Sequence, residues 1–394
     1  MNVLPDGPST ELIAARSLDL LFRYADTIQA PDAYASPHLS QGAVLNSIVL
    51  VERGLQRQND EDLHAAAAHL RRAMDLYDRM PLSSSLYRGV AGLGWALQTF
   101  PLPELFPERD ELLNDLDELL ADGIVVTRHH NIDIINGLAG IAVYAIARGV
   151  DSEPSRALWS TLEQVYGAYL STWSPSLELP EKTTANNLGV AHGVPGLLAT
   201  AAVAHARGYF SDASGDWLKI AYDQFWSLAR QQDGFPFYPT FLASPNRSRL
   251  AWCYGSLGIA VAFMHAVAID ERNAQRADRM FASSLSQYRS GAHGIRDSTL
   301  CHGQAGIALT FEYAARHLAH GELRDGLRDA AAHAAQLSLD DERPELGPCT
   351  YMHSTMDGMK PGLSLLEGSA GVALSLTAAC ADDTRPWMSL LGYY

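Results

Sequence analysis

Leu300-Cys301-His302-Gly303-Gln304-Ala305-Gly306-Ile307-Ala308-Leu309 reads as three things in succession. Two metal-ligating side chains stand side by side, a Gly-x-x-Gly turn follows, and an apolar run starts inside that turn. The same order recurs along the chain, as GVAG at Gly89, GLAG at Gly137, GVPG at Gly193, GSLG at Gly255 and GSAG at Gly368. A weaker copy, LSQGAVLNSIVL, keeps only its first glycine, Gly42. Successive leading glycines lie 47, 48, 56, 62, 48 and 65 residues apart. Self-similarity at such a period is the mark of a repeat architecture, and each unit has room for two helices and a connection.

Between the copies lie charge-bearing amphipathic segments, at about 9–29, 59–79, 108–122, 153–171, 213–230, 271–289 and 321–338. Asn59-Asp60-Glu61, Ser152-Glu153-Pro154 and Ser214-Gly215-Asp216 supply helix-start signals. The runs after each Gly-x-x-Gly (GIAVYAIA, GLLATAAVA, GIAVAFMHAVA, GIALTFEYAA) are apolar nearly all round. A helix without a polar face must be covered on every side. Seven polar-faced helices alternating with seven apolar ones therefore predict an all-α fold, an outer ring around an inner ring. Closing the ring spares the chain the exposed ends an open solenoid has to cap. The expectation is one domain over 1–394, built of seven helix pairs with a degenerate first repeat. The glycines are expected to allow positive φ and close backbone approach where one helix turns into the next.

Composition narrows the function. With 29 basic against 45 acidic residues the chain carries a formal charge of −16. Nucleic-acid binding needs a basic face, so none is expected; a cationic peptide partner remains compatible with the charge. Hydrophobic content of 47% with 19% charged residues fits a large soluble core. No apolar run reaches membrane-spanning length, the longest being interrupted by His192 and His265. The N-terminal MNVLPDGPST lacks a basic region followed by an apolar core, so no secretory signal is read and a cytoplasmic location is expected. Four cysteines are too few for a disulfide framework in 394 residues. Cys349 and Cys380 are read as inert core thiols.

If every inner helix starts at one end of the ring, the residues just before each leading glycine share one mouth. In order these are Tyr87-Arg88, Ile135-Asn136, Ala191-His192, Cys253-Tyr254, Cys301-His302 and Leu366-Glu367. Cys253, Cys301 and His302 make three ligands in matched frame, the number a catalytic zinc uses when its fourth position is left open. Two thiolates and an imidazole suit zinc among the metals. A redox Cys-Cys pair is the competing reading, and it leaves His302 unexplained. His192 belongs to another repeat and is read as facing the metal rather than ligating it. Asp133 and Arg249 each stand four residues before a landmark, Gly137 and Cys253. The bland alternatives are a helix cap for Asp133 and an exposed loop charge for Arg249. Tyr254 is either an aromatic lining or a proton carrier. Arg128-His129-His130 reads as a solvated turn, and His293 and His353 have no partner at ligand spacing. The segments 172–185, 232–250 and 340–362 read as long loops suited to covering the mouth.

At WCYG (Trp252–Gly255), CHG (Cys301–Gly303), AHGxxG (Ala191–Gly196) and the Gly-x-x-Gly repeats, the sequence resembles the lanthionine synthetase C-like family. The resemblance runs from about Gly42 to Leu376. It implies an α/α toroid of two seven-helix rings, one zinc held by Cys253, Cys301 and His302, and an acid–base group of His192, Asp133 and Arg249 supported by Tyr254. It also implies a stand-alone cyclase, with no room for a fused dehydratase or kinase domain. Such an enzyme adds cysteine thiols of a dehydrated precursor peptide to dehydroalanine or dehydrobutyrine, giving thioether rings. A dehydratase partner and peripheral attachment to a membrane-associated complex are compatible with it. Two alternatives stay open: glutathione addition to dehydrated residues in proteins, and a non-catalytic zinc scaffold that holds a precursor peptide or dehydratase. Six-hairpin glycosidases and prenyltransferase subunits share double-ring barrels, but neither predicts CHG with WCYG in matched frame.

Overall fold

Each leading glycine stands immediately before a helix. In the computed structural model, which describes residues 9–126, 131–180, 182–318 and 321–394, the apolar helices are α2 (Ala43–Arg57), α4 (Val90–Thr99), α6 (Leu138–Arg148), α8 (Val194–Ala206), α10 (Ser256–His265), α12 (Gln304–His317) and α14 (Ser369–Ala379). They alternate with α1 (Thr10–Asp26), α3 (Asp60–Tyr77), α5 (Arg109–Val126), α7 (Glu153–Thr172), α9 (Ser214–Ser227), α11 (Arg272–Arg289) and α13 (Glu322–Asp340). The turn read at Arg128-His129-His130 lies outside the described residues.

Burial follows the pattern. Leu138–Ile146 of α6, Val194–Ala204 of α8 and Ser369–Ala378 of α14 are buried without a break. A fully buried leucine such as Leu197 or Leu198 contributes roughly 1.5–3 kcal/mol by leaving water. In α7, by contrast, only Ser155, Leu158, Trp159, Leu162, Tyr166 and Leu170 are buried, one stripe at helical spacing. Asn59 caps α3 through the Glu61 N–H, and Ser152 closes a capping box with Ser155. Ser214 departs from expectation. It is the first residue of α9 rather than its cap, because its hydroxyl is engaged by the Ser211 carbonyl at 2.6 Å and His205 Nδ1 at 2.7 Å.

The backbone packs as two compact units: Met1–Asp78 with Arg249–Leu257 and Phe281–Trp387, and Arg79–Ser248 with Gly258–Met280 and Met388–Tyr394. In the first, α14 neighbours both α2 and α12, with α1, α3 and α13 packed against this inner row. In the second, α4, α6 and α8 form the corresponding inner row, and α5, α7 and α9 lie against one another. A buried Arg148–Asp117 ion pair at 3.0 Å, with the Tyr144 hydroxyl donating to the same carboxylate at 2.7 Å, ties α6 to α5. The hairpin β3–β4 (Tyr351–Thr355, Gly358–Gly362) falls inside a segment read as a loop, whereas β1–β2 (Arg230–Gln232, Phe235–Phe237) starts at Arg230, where an outer helix was expected to end, and runs into another such segment. At the first, Asp233-Gly234 takes positive φ at both positions, 53° and 82°, the geometry a two-residue hairpin turn needs.

A short hook precedes the inner helices. Six residues before the leading glycine, a small polar side chain accepts the N–H two residues on: Ser83 from Ser85 (3.3 Å), Asn131 from Asp133 (3.2 Å), Asn187 from Gly189 (3.0 Å) and Asp297 from Thr299 (3.0 Å). Carbonyls of Ser83, Asn131 and Asp297 then accept the first helical N–H, at 2.8, 2.8 and 3.0 Å. The chain thus folds back over the helix start, leaving no room for a side chain at either glycine. A methyl group on Gly303 would run into the Thr299 backbone, and one on Gly306 into the Leu300 carbonyl. Close approach is the reason for these glycines. Among the leading glycines positive φ occurs only at Gly42 and Gly255.

Gly306→Ala is expected to lower the unfolding free energy by about 1–3 kcal/mol through overpacking. Gly123→Ala, at an exposed position of α5 with open space around it, is expected to raise it by about 0.5–1 kcal/mol. Urea titration followed by far-ultraviolet circular dichroism distinguishes the two; equal shifts would contradict the packing account.

Candidate metal centre and acid–base pair

Backbone rungs join one hook to the next. In the first unit the Leu365 N–H donates to Ser40 O (2.9 Å), Cys301 N–H to Leu366 O (2.9 Å) and Trp252 N–H to Cys301 O (3.2 Å). This ladder sets Cys253 and Cys301 side by side, and His302 follows directly in sequence. The sulfur atoms and an imidazole nitrogen all lie within 4.8 Å of one another. All three residues are buried, and all four cysteines of the chain are free thiols.

The electrostatics of the three groups are coupled. A hydrogen bond from Cys301 holds Cys253 well below the usual thiol range against the cost of burial, helped by His302 and by the Arg249 charge. Cys301 is pushed well above that range, first by the same hydrogen bond and then by burial, so the pair shares one negative charge. Burial lowers the His302 imidazole, but Asp297 and Cys253 outweigh it and raise it to about 9. Among the described residues neither ring nitrogen makes a hydrogen bond of good geometry: Nε2 faces Asp297 Oδ2 at 3.4 Å and Nδ1 makes none. A buried imidazole nitrogen left without a partner is costly. Together with two converging sulfur atoms, it fits a borderline-soft divalent ion and fits zinc well. Among the described residues this is the one group of three or more potential ligands so placed.

Arg249 stands where the other hooks carry Ser, Asn, Asp or Gly. Its side chain makes no cap, and Nη2 instead lies 3.7 Å from Cys253 Sγ. Arg249 is thus an exposed loop residue, as its bland reading had it, whose guanidinium also reaches the candidate ligand Cys253. Tyr254 follows Cys253 on the same hook and is half-buried. In the second unit, the Ile134 N–H donates to Ala191 O at 3.0 Å, a rung of the same kind. It brings Asp133 and His192 together, with Nδ1 and Oδ2 3.0 Å apart. Asp133 is buried, and its Oδ1 accepts the Asn136 N–H, so it serves as a cap as well as a partner. The His192 side chain is 42% exposed.

Other sequence candidates fall away from this chemistry. His293 stacks on Tyr288 and its carbonyl accepts the Leu250 N–H at 2.8 Å, a structural role. His353 lies in β3. Cys349 is buried and its thiol is pushed up to about 11 by burial, in keeping with an inert residue; Cys380 is pushed up by burial too. Sequence reasoning missed Asp297. The signal was available, since Asp297 falls in the frame of Ser83, Asn131 and Asn187.

The chain matches the lanthionine synthetase C-like protein family over residues 34–391 and belongs to it. Among curated proteins it is similar to the nisin biosynthesis protein NisC of Lactococcus lactis subsp. lactis, at 25% identity over 262 residues. That match covers 57% of this chain and 61% of NisC's own length. Among solved structures it is similar to a nisin cyclase, with a TM-score of 0.74 and 18% identity over 98% of this chain and 96% of the other. The fold is therefore the expected all-α one, an α/α toroid. No helix among the described residues is long and apolar enough to cross a membrane.

Metal-free protein is expected to show the ultraviolet absorbance of one thiolate at pH values below the ordinary thiol range. Cys253→Ala should abolish it and Arg249→Ala should move its loss toward higher pH. An unchanged titration in Cys253→Ala would show that the charge lies elsewhere.

Proposed function

We propose that the chain is a zinc-dependent cyclase forming lanthionine or methyllanthionine rings in a dehydrated precursor peptide. The observation that carries the reading is the convergence of Cys253, Cys301 and His302 on three buried ligand atoms within 4.8 Å. Family membership and the likeness to NisC support it. Cys253, Cys301 and His302 would hold the metal, and zinc when bound favours the thiolate form of a sulfur ligand at neutral pH. A free thiol with a pKa of about 8.5 is only a few per cent ionised there.

The chain's own groups then handle charge and protons. Arg249, beside Cys253, balances negative charge gathered at the thiolates. Addition of the substrate sulfur to the β-carbon of a dehydro residue forms one C–S bond and converts the alkene to an enolate. His192 delivers a proton to the α-carbon, its imidazolium steadied by Asp133 at Nδ1. The thiol has lost one proton and the α-carbon has gained one, so the product is an isomer of the substrate. No oxidant or added thiol is required, which separates this reaction from glutathione addition. A dehydratase would supply the substrate, and the location we propose for that pairing is the cytoplasm.

Zinc-loaded protein incubated with a synthetic dehydrated, cysteine-bearing peptide should consume the free thiol without changing the peptide's mass. Alkylation followed by mass spectrometry reads both. His192→Ala should slow ring closure by about 10²–10⁴-fold while keeping its zinc. Wild-type rates in that variant would instead favour a scaffold that binds peptide without acting on it.

A further inference from the structure

We infer that Asp297 is a positioning residue that fixes the His302 imidazole as a metal ligand through Nδ1. The inference rests on the zinc reading above. The Asp297 side chain is fully buried, and its Oδ2 faces His302 Nε2 at 3.4 Å. Oδ2 also accepts the Ser354 N–H from β3 at 3.0 Å, while Oδ1 accepts the Thr299 N–H at 3.0 Å and hydroxyl at 2.7 Å. The carboxylate is therefore gripped on both oxygens and cannot swing away from the ring.

Comparison among the hooks isolates what the charge is for. Ser83, Asn131 and Asn187 make the same turn with neutral side chains, so a hook closed by a side chain needs an acceptor oxygen there and no charge. A buried carboxylate is expensive unless opposed by donors or a cation. Among these hooks the charged residue occurs at the one that carries the histidine ligand. A carboxylate on Nε2 selects the tautomer with its proton there and leaves the Nδ1 lone pair to face Cys253 and Cys301. Partners of this kind fix ring orientation and raise ligand basicity in metal sites generally. Ser354 adds a consequence: the β3–β4 hairpin is tied by one backbone hydrogen bond to the residue that holds the ligand.

Asp297→Asn tests the role without removing the turn, because it keeps the amide oxygen that Asn131 and Asn187 use. Zinc affinity is read by competition with a chromogenic chelator on the full-length chain, with circular dichroism as the check on folding. The expected result is binding weakened about 10–100-fold with helix content unchanged. Wild-type affinity in folded Asp297→Asn would overturn the inference. Nitrogen-15 histidine spectra of zinc-loaded wild type give a second decision that needs no variant. They should show the metal on Nδ1 and the proton on Nε2 of His302; metal on Nε2 would overturn the assignment even if the variant failed to fold. Wild type that binds no zinc would be a different failure, that of the zinc reading itself, and Asp297 would lose its role with it.

Discussion

The hydrogen bond between a small polar side chain and the N–H two residues on, at Ser83, Asn131, Asn187 and Asp297, is the constraint on which much of the structure depends. It bends the chain into a hook before an inner helix, and the hook's carbonyl then caps the first turn, as at Asn131 and Asp297. Because backbone lies directly over the helix start, both glycines of the motif are required for space. Without the hook, a helix as apolar as α6 would begin with unsatisfied N–H groups in a buried setting, at a cost of about 1–3 kcal/mol for each such group.

Once the hooks exist, the chemistry is a matter of which side chains they carry. Backbone rungs such as Cys301 N–H to Leu366 O and Trp252 N–H to Cys301 O hold neighbouring hooks in fixed register. Residues at the last two positions before the glycine are thereby set in a row. One hook contributes Cys253, the next contributes Cys301 and His302, and a buried group of two sulfur atoms and an imidazole results. In the other unit the same device sets His192 against Asp133. The hook that carries Arg249 in place of a capping residue spends that position on the charge of Cys253 instead.

Much of this was legible in the sequence. The outer helices announce themselves by one-sided patterning, and the inner ones by having no polar side at all; both depend on local periodicity, which a single chain records. The clustering of Cys253, Cys301 and His302 was legible because repeats share a frame, so that equal offsets from a glycine mean equal places in space. The role of the glycines was half legible, since crowding by the preceding backbone is a tertiary fact and positive φ was the local guess. Asp297 escaped notice because an aspartate in a turn has an ordinary local explanation, and its contact with His302 is set by the fold of the hook. The hairpins at 230–237 and 351–362 were passed over in or at the edge of long Pro- and Gly-containing stretches, although Asp233-Gly234 is a strong turn signal.

The central claim is that neighbouring hooks assemble a zinc site from Cys253, Cys301 and His302. Elemental analysis of protein purified under reducing conditions, for the wild type and for Cys253→Ala/Cys301→Ala, tests it most directly. The account predicts about one zinc per chain in the wild type and none in the double variant. A zinc-free wild type, or zinc retained without the two thiols, would contradict it.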